Sequence, residues 1–412
     1  VRGTDAGDKA VTAPVDLSLV IDRSGSMRGS RLDNAIKAAV GAVDRLNDGD
    51  VVSVVTFDTR TQIVVPPTTM TASTRRSIAS DIRSITLGGD TCISCGIEDG
   101  MVELDRTLGR VNRMVLLSDG DANNGVRDVT GFRSIAQRAR DRGAAITTIG
   151  VDVDYNERIL SAIAEESNGR HYFVENDAAL ARVFEQEAES LTSAVASGAE
   201  VAIDLGPGVE LERVFDRSFR RSGNRVLVPL GTFARSEVKT VLMKVRLPSD
   251  RDGEKPVVDV ALSYRDLLTD TQASCNGRLA ALVTNDASQA SELDPIVAGR
   301  VERSETAATL KDANVLFAEG KVADARKRLE TQARSLASAA TKAKSSAPKA
   351  RAAEVDRDFA KQQNALSQAE AAFATPPPAA ANPFSAPSPV QETRAGKGAV
   401  KLNQEAARDF AF

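Results

Sequence analysis

The stretch Val15-Asp16-Leu17-Ser18-Leu19-Val20-Ile21, followed at once by Asp22-Arg23-Ser24-Gly25-Ser26, decides how this chain folds. The first seven residues form an unbroken, largely apolar run, as a central strand covered on both faces requires. The next five carry a carboxylate and two hydroxyls at i, i+2 and i+4, and they leave the strand end together. These are hard oxygen donors of the kind Mg²⁺ prefers. A buried strand that ends in such a cluster points to a site rather than to a solvated loop.

Two later stretches end in the same chemistry. Thr91 follows Gly88-Gly89-Asp90 at the start of a helical pattern. Asp119 follows a second apolar run, Arg113-Met114-Val115-Leu116-Leu117-Ser118, and precedes Gly120. Helical and extended patterns alternate around them. Residues 31–46 place Leu32, Ile36, Ala39, Val40, Val43 and Leu46 at helical spacing, with Ser30 as the expected N-cap and Asn47-Asp48-Gly49 as the stop. A strand over 51–57 comes next, then a short strand over 62–65 halted by Pro66-Pro67, a helix over 73–85 and a helix over 92–108. Past Ser118 the pattern gives a polar loop over 121–128, a helix over 132–142, a strand over 145–150, a helix over 156–167, a strand over 170–174, and a last helix from Asp177 to about Ala196. This alternation is a doubly wound α/β domain with a mostly parallel sheet. Its strand ends collect along one edge, where ligands bind at a topological switch point.

An Asp-x-Ser-x-Ser motif, a distant Thr and a distant Asp, set in a βα series, resemble the metal-ion-dependent adhesion site of von Willebrand factor A (VWA) domains. All five positions match: Asp22, Ser24, Ser26, Thr91 and Asp119. The short motif alone is weak; the βα context makes it specific. The resemblance covers residues 14–198 and is to the bacterial secreted or envelope type. It implies a Rossmann-like fold. It also implies that Ser24, Ser26 and Thr91 donate hydroxyl oxygens to Mg²⁺ or Mn²⁺, with Ca²⁺ a poorer match, while Asp22 and Asp119 balance charge directly or through water. Neutral ligands leave the ion electron-poor, so its open position can accept an Asp or Glu carboxylate from a protein partner; octahedral Mg²⁺ tolerates such partial ligation. The bland alternative is a metal-free structural domain. In related domains ligand binding can pull the last helix, here 177–196; a rigid connector is the reading preferred for this chain.

From Gly198 the pattern changes to short strands over 200–205, 209–215, 225–230, 237–247, 256–264 and 278–283, with turns such as Gly206-Pro207-Gly208 and Ser222-Gly223-Asn224. This reads as a small antiparallel β-sandwich spanning 199–290, with residues 1–13 as a loose leader or an added edge strand. In architecture it resembles the β-domain after the A domain in relatives of inter-α-trypsin-inhibitor-type and calcium-activated chloride-channel-type proteins. Residues 291–374 are helical and Ala-rich, with helices over 296–319, 322–343 and 349–373; Ala313, Phe317, Gly320, Ala325 and Leu329 resemble one tetratricopeptide-like hairpin, which cannot bury its own face alone. Residues 375–412 are a Pro/Ala-rich linker and a short tail that can dock as a helix.

Composition narrows the function. The 412 residues, 42% hydrophobic and 27% charged, suit a globular chain of two or three domains. A net charge of −4 argues against broad nucleic-acid binding. The absence of Trp and an aromatic content of 4% argue against a stacking cleft. No run approaches the roughly 20 apolar residues of a membrane helix. The start at Val1 suggests a mature exported protein, although no signal peptide is visible.

Three cysteines leave at least one unpaired. Cys92-Ile93-Ser94-Cys95 opens the helix after Thr91, with three readings: a disulfide that rigidifies Thr91, a reactive dithiol that tunes metal affinity, or two packed thiols. Zinc is not supported, because His171 is the sole histidine. It reads as a core or surface residue, and neither a Gly-x-Ser-x-Gly elbow nor a phosphate loop occurs. Asp58 and Asp121 shape the partner surface or are merely solvated. The Lys/Arg-rich stretches around Arg326 and over 342–351 read as solvated faces.

Together these readings give a non-enzymatic, divalent-metal-dependent protein-binding or adhesion protein at the cell envelope or outside it. The alternative is a scaffold whose C-terminal helices bind the partner while the VWA domain serves assembly. A hydrolase is the third reading, and nothing in the motifs supports it. The sequence leaves the oligomeric state open.

Overall fold

The structure is a computed structural model. It describes residues 1–3, 14–107, 111–119, 122–151, 155–174, 177–289, 291, 293–374 and 389–411. The expected leader over 4–13, the helix end at Leu108, Asp121 and the Pro-rich stretch over 376–388 lie outside the described residues.

Six strands form the first sheet: β1 (Val15–Asp22), β2 (Val51–Phe57), β3 (Thr61–Thr69), β4 (Val111–Ser118), β5 (Ala144–Val151) and β6 (His171–Val174). Their spatial order is β3-β2-β1-β4-β5-β6. All neighbours are parallel except the β2–β3 edge pair. Every residue of β1, β2 and β5 is buried. Successive side chains point to opposite faces, so one strand feeds two cores. Leu17, Leu19 and Ile21 join the core under helices α1 (Ser30–Arg45), α2 (Ala72–Arg83) and α6 (Asp177–Thr192). Val20 joins the core under α3 (Ile93–Leu104), α4 (Val129–Asp141) and α5 (Glu157–Glu166). Helix α3 lies close on β1 because Gly96 and Gly100 face it. A Cβ at Gly96 would come within 2.6 Å of the Phe57 ring, and one at Gly100 within 2.7 Å of Val20.

Three expectations are corrected. The helix 31–46 begins one residue earlier, with Gly29 and not Ser30 at the N-cap. Strand β3 runs through Pro66 and Pro67 to Thr69. It is an edge strand, and its register against β2 shifts between Val54↔Val65 and Val52↔Thr68, where the prolines sit. A missing N–H is tolerated at such a bulged edge. Helix α6 stops at Thr192, and β7 (Ala194–Leu205) starts within the stretch read as helix. Strand partners claim that backbone: Arg235 N–H donates to Ser193 O at 2.8 Å and Leu267 N–H to Val195 O at 3.1 Å.

The remaining strands are β8 (Glu210–Phe215), β9 (Arg220–Ser222), β10 (Arg225–Ala234), β11 (Leu242–Arg246), β12 (Gly253–Asp266) and β13 (Thr271–Val283). They form a five-stranded sheet, β13-β12-β7-β10-β9, and a β11-β8 ribbon. At the N-terminus, residues 1–3 pair with the segment 237–239 through Gly3 N–H to Glu237 O and Lys239 N–H to Val1 O. The chain divides into two compact units. One comprises 1–204, 218–239 and 258–278; the other comprises 205–217, 240–257 and 279–412. The strands of 199–290 therefore contribute to both.

In the second unit, Asp294 caps α7 (Pro295–Ala318), which packs with α8 (Val322–Ser346), α9 (Ala352–Phe373) and α10 (Arg394–Phe410). Phe317 stacks on Phe373 at 4.0 Å between ring centroids. The tail docks as α10, fixed by Asn314 Nδ2–H donating to Val400 O at 2.9 Å. Among the described residues no helix is long and apolar enough to cross a membrane.

Helix α6 is fastened to the first sheet by a buried carboxylate. Glu187, 2% exposed, accepts from Thr147 Oγ1 at 2.6 Å and from Tyr172 Oη at 2.8 Å, with Arg170 Nη1 at 3.6 Å. Burial, and then the Glu187 charge, push the Tyr172 phenol up to about 12. A raised phenol contributes stability that is complete below its ordinary value of 10.0 and is lost as pH climbs toward 12. Tyrosinate absorbance should therefore show a component with a midpoint near pH 12 that is missing in Tyr172→Phe.

Candidate functional site

The C-terminal ends of β1 and β4 and the start of α3 meet at one edge of the parallel sheet. Asp22 closes β1 and is fully buried. Ser118 Oγ–H donates to its Oδ2 at 2.6 Å, and Ser24 N–H to its Oδ1 at 2.8 Å. Burial nevertheless pushes the Asp22 carboxyl up to about 6, with those hydrogen bonds pulling it down and the nearby Asp119 charge adding to the rise. A cation beside it would favour the charged form.

After Asp22 the chain makes a 3₁₀ turn over Gly25–Met27, anchored by the buried Met27 side chain. The turn sets the buried Ser24 and the exposed Ser26 along one line of oxygens. Ser24 Oγ lies 3.0 Å from Ser26 Oγ, and Ser26 Oγ–H donates to Asp119 Oδ1 at 2.8 Å. Asp119 itself is 2% exposed. Its other oxygen, Oδ2, accepts from Arg31 Nη1 at 2.7 Å, and the same nitrogen reaches Ser26 O at 3.0 Å.

Thr91 enters by way of its loop. Gly25 N–H donates to Gly89 O at 2.9 Å, and Gly88 N–H to Arg23 O at 2.7 Å, so the 23–25 and 88–89 segments are stitched by two backbone bonds. Asp58 braces the same junction. Its carboxylate meets Arg23 Nη2 at 2.9 Å, and its carbonyl accepts from Cys92 N–H at 2.9 Å. Thr91 is 4% exposed. Its N–H donates to Asn123 Oδ1 at 2.8 Å, while its carbonyl accepts from Asn123 N–H at 3.1 Å and Asn124 N–H at 3.2 Å. Its hydroxyl makes no hydrogen bond to the other four candidates.

The structure thus joins Asp22, Ser24, Ser26 and Asp119 in one hydrogen-bonded chain and places Thr91 on a loop bonded to the same turn. Cys92 and Cys95 form a disulfide, leaving Cys275 free and exposed. His171 is a core residue, with Nδ1 2.8 Å from Thr148 Oγ1 and Nε2 2.9 Å from Tyr155 Oη. Sequence reasoning missed Ser118, Arg31 and Asn123, and gave Asp58 only a surface role. Ser118, adjacent to Asp119 at a strand end, was the legible one; the others act through contacts that no spacing rule encodes.

Among the described residues no three His, Cys, Asp or Glu side chains gather as a metal set. The two carboxylates here stand with the Ser24 and Ser26 hydroxyls, an all-oxygen donor set of the hard kind that suits a divalent cation. Arg31 offsets part of the negative charge.

Comparison with known proteins bears on the fold that carries this edge. The family model for the von Willebrand factor type A domain matches residues 16–186. An uncharacterized protein of Synechocystis is 27% identical over 272 residues, covering 63% of this chain and 64% of its own. The uncharacterized Escherichia coli protein YfbK is 26% identical over 196 residues, covering 47% and 34%. Bovine inter-alpha-trypsin inhibitor heavy chain H4 is 24% identical over 192 residues, covering 42% and 20%. The matches thus span less than two thirds of each relative. Among solved structures, a von Willebrand factor type A protein from Catenulispora acidiphila superposes with a TM-score of 0.75 at 16% identity, covering 95% of this chain and 89% of that one. The ArnB paralog VWA2 from Sulfolobus acidocaldarius gives 0.58 at 16%, covering 98% and 90%. At these identities the likeness is one of fold.

The loop over 122–128 holds Thr91 and turns at Gly125, whose φ is +69°. A Cβ there would meet Ser94 Oγ at 2.4 Å. Gly125→Ala should cost more than about 1 kcal/mol in denaturant unfolding and speed amide exchange at Asn123, Asn124 and Val126.

Proposed function

Since residues 16–186 are a von Willebrand factor type A domain, we propose that the chain is a non-enzymatic protein-binding module whose Asp22, Ser24, Ser26, Thr91 and Asp119 hold Mg²⁺ or Mn²⁺. The observation that carries this reading is the line of oxygens from Ser24 through Ser26 to Asp119, with spacings of 3.0 and 2.8 Å, ending at a carboxylate from another strand. Bound there, the cation would supply a Lewis-acidic position for an Asp or Glu carboxylate of a protein partner.

The chain's own residues explain how the site is kept ready. Ser118 and the Ser24 amide hold the Asp22 carboxylate in one rotamer, so it cannot swing away from the turn. The stitched backbone between 23–25 and 88–89 fixes the third ligand segment relative to the first two. Arg31 supplies positive charge to Asp119 and so competes with a cation for it. The setting we assign is the bacterial cell envelope or outside it, as adhesion or surface assembly. A disulfide close to the site supports an oxidising compartment.

Calorimetric titration with Mn²⁺ and Mg²⁺ tests the site. The wild type should bind one equivalent, and the double variant Ser24→Ala with Ser26→Ala should bind none. Unchanged binding in the double variant, or no saturable binding in the wild type, would falsify the assignment. Arg31→Ala should bind Mn²⁺ a few-fold more tightly, because removing a nearby positive charge lowers the repulsion a divalent ion meets. Weaker binding in that variant would instead make Arg31 a supporting residue rather than a competitor.

A further inference from the structure

The Cys92–Cys95 disulfide crosses the first turn of α3, directly after Thr91. Cys92 is fully buried and Cys95 half-buried. The pair touches two supports of the candidate centre, Asp58 and the 122–128 loop. On one side, Cys92 N–H donates to the Asp58 carbonyl at 2.9 Å, in the residue whose carboxylate pairs with Arg23. On the other, the 122–128 loop that follows Asp119 lies on the sulfurs. A Cβ on Gly125 would stand 2.7 Å from Cys92 Sγ and 3.8 Å from Cys95 Sγ, so the glycine is there because nothing larger fits. Val126 N–H donates to Ser94 Oγ at 3.1 Å, between the two cysteines. The same loop carries Asn123, which holds Thr91 at both its N–H and its carbonyl.

We propose that Cys92–Cys95 is a thiol-exchange site whose oxidation state sets the affinity of the cation centre; this rests on the function proposed above. The substrate class is a dithiol reductant. One thiolate of the reductant attacks the more accessible Cys95 Sγ, the Sγ–Sγ bond breaks, and Cys92 leaves as a thiolate at the N-terminus of α3, where helix amides favour negative charge. The second thiolate then displaces Cys95 from the mixed disulfide. The reductant closes to its own disulfide, two electrons pass to the protein, and its two protons end on the two cysteines.

The coupling is steric. Bonded sulfurs sit about 2.05 Å apart, whereas non-bonded ones need roughly 3.5 Å or more. On the side of the buried Cys92 the extra separation is found against the 122–128 loop, which Gly125 brings onto that sulfur. Gly125 leaves no slack on the loop side, and loop and threonine are bonded to one another through Asn123. Reduction therefore shifts the 122–128 loop and, through Asn123, the Thr91 backbone that this loop holds. By reciprocity, a bound cation must disfavour reduction by the same factor.

The test uses the full chain, either oxidised or reduced with a phosphine and desalted without air. Thiols counted in denaturant should rise from one, Cys275, to three. In calorimetric Mn²⁺ titrations the reduced form should bind at least about tenfold more weakly. The Cys92→Ser, Cys95→Ser variant should match it; if that variant does not fold, the reduced wild type carries the comparison. In dithiothreitol redox buffers, saturating Mg²⁺ should shift the midpoint toward the disulfide by the same factor. Equal or tighter binding on reduction overturns the coupling and leaves the centre standing. If the oxidised protein binds no Mn²⁺, the centre itself is overturned and the coupling falls with it.

Discussion

A carboxylate with no access to solvent must be satisfied from within the protein, and Asp22 is that carboxylate here. It terminates a strand buried on both faces, so water cannot reach it. The Ser118 hydroxyl comes from the neighbouring strand and the Ser24 amide from the turn that Asp22 begins. Satisfying Asp22 thus fixes the end of β4 against the end of β1 and sets the path of the chain through Ser24 to Ser26. Asp119 follows Ser118, and its place beside Ser26 is a consequence of the same bond. The five candidate ligands span nearly a hundred positions of sequence, yet one desolvated side chain orders three of the five.

The α/β half of the fold was legible because its signals are local and strong. Runs such as Val51-Val52-Ser53-Val54-Val55 have no other stable use than a central strand, and the helices between them show apolar side chains on one face. Where local and tertiary preferences disagreed, the sequence misled. Pro66-Pro67 looks like a stop, but at the outer edge of a sheet the missing N–H faces no partner strand. Ala194-Val195-Ala196 extends a helical pattern, but β10 and β12 offer partners to that backbone, and pairing wins over propensity. β9, three exposed residues long, carries no pattern to read.

The site was legible in its hydroxyls and carboxylates and not in its supports. A motif records which atoms of a loop are useful. It does not record what holds the loop, because holding is done by contacts distant in sequence. Arg31 reaches Asp119 across 88 positions, and Asn123 reaches Thr91 across 32. Asp58 reads as a solvated turn residue, yet it is 7% exposed and serves as a brace between Arg23 and Cys92. The helical region shows the same split. Its helices were evident, whereas the seat of α10, set by Asn314 and the buried Phe410, was not.

The attachment of α6 decides how far an event at the candidate site can travel. In this chain α6 leads directly into β7, so any displacement of the helix would be felt in the second sheet. Glu187 opposes such a displacement. Moving α6 away from β5 and β6 would strip a 2% exposed carboxylate of Thr147 and Tyr172 together. Leaving buried charged groups without donors costs on the order of 1–3 kcal/mol or more for each lost bond. A ligand shifts an equilibrium only by the difference in its affinity for the two states. A partner carboxylate would therefore have to gain several kcal/mol from a displaced α6 before that state became populated. The loop over 122–128 has no such buried carboxylate and is held to Thr91 by neutral hydrogen bonds, each worth about 1 kcal/mol net. Adjustment at the edge of this sheet is thus cheapest in the Thr91 and 122–128 segments, and the helix serves as a fixed connection.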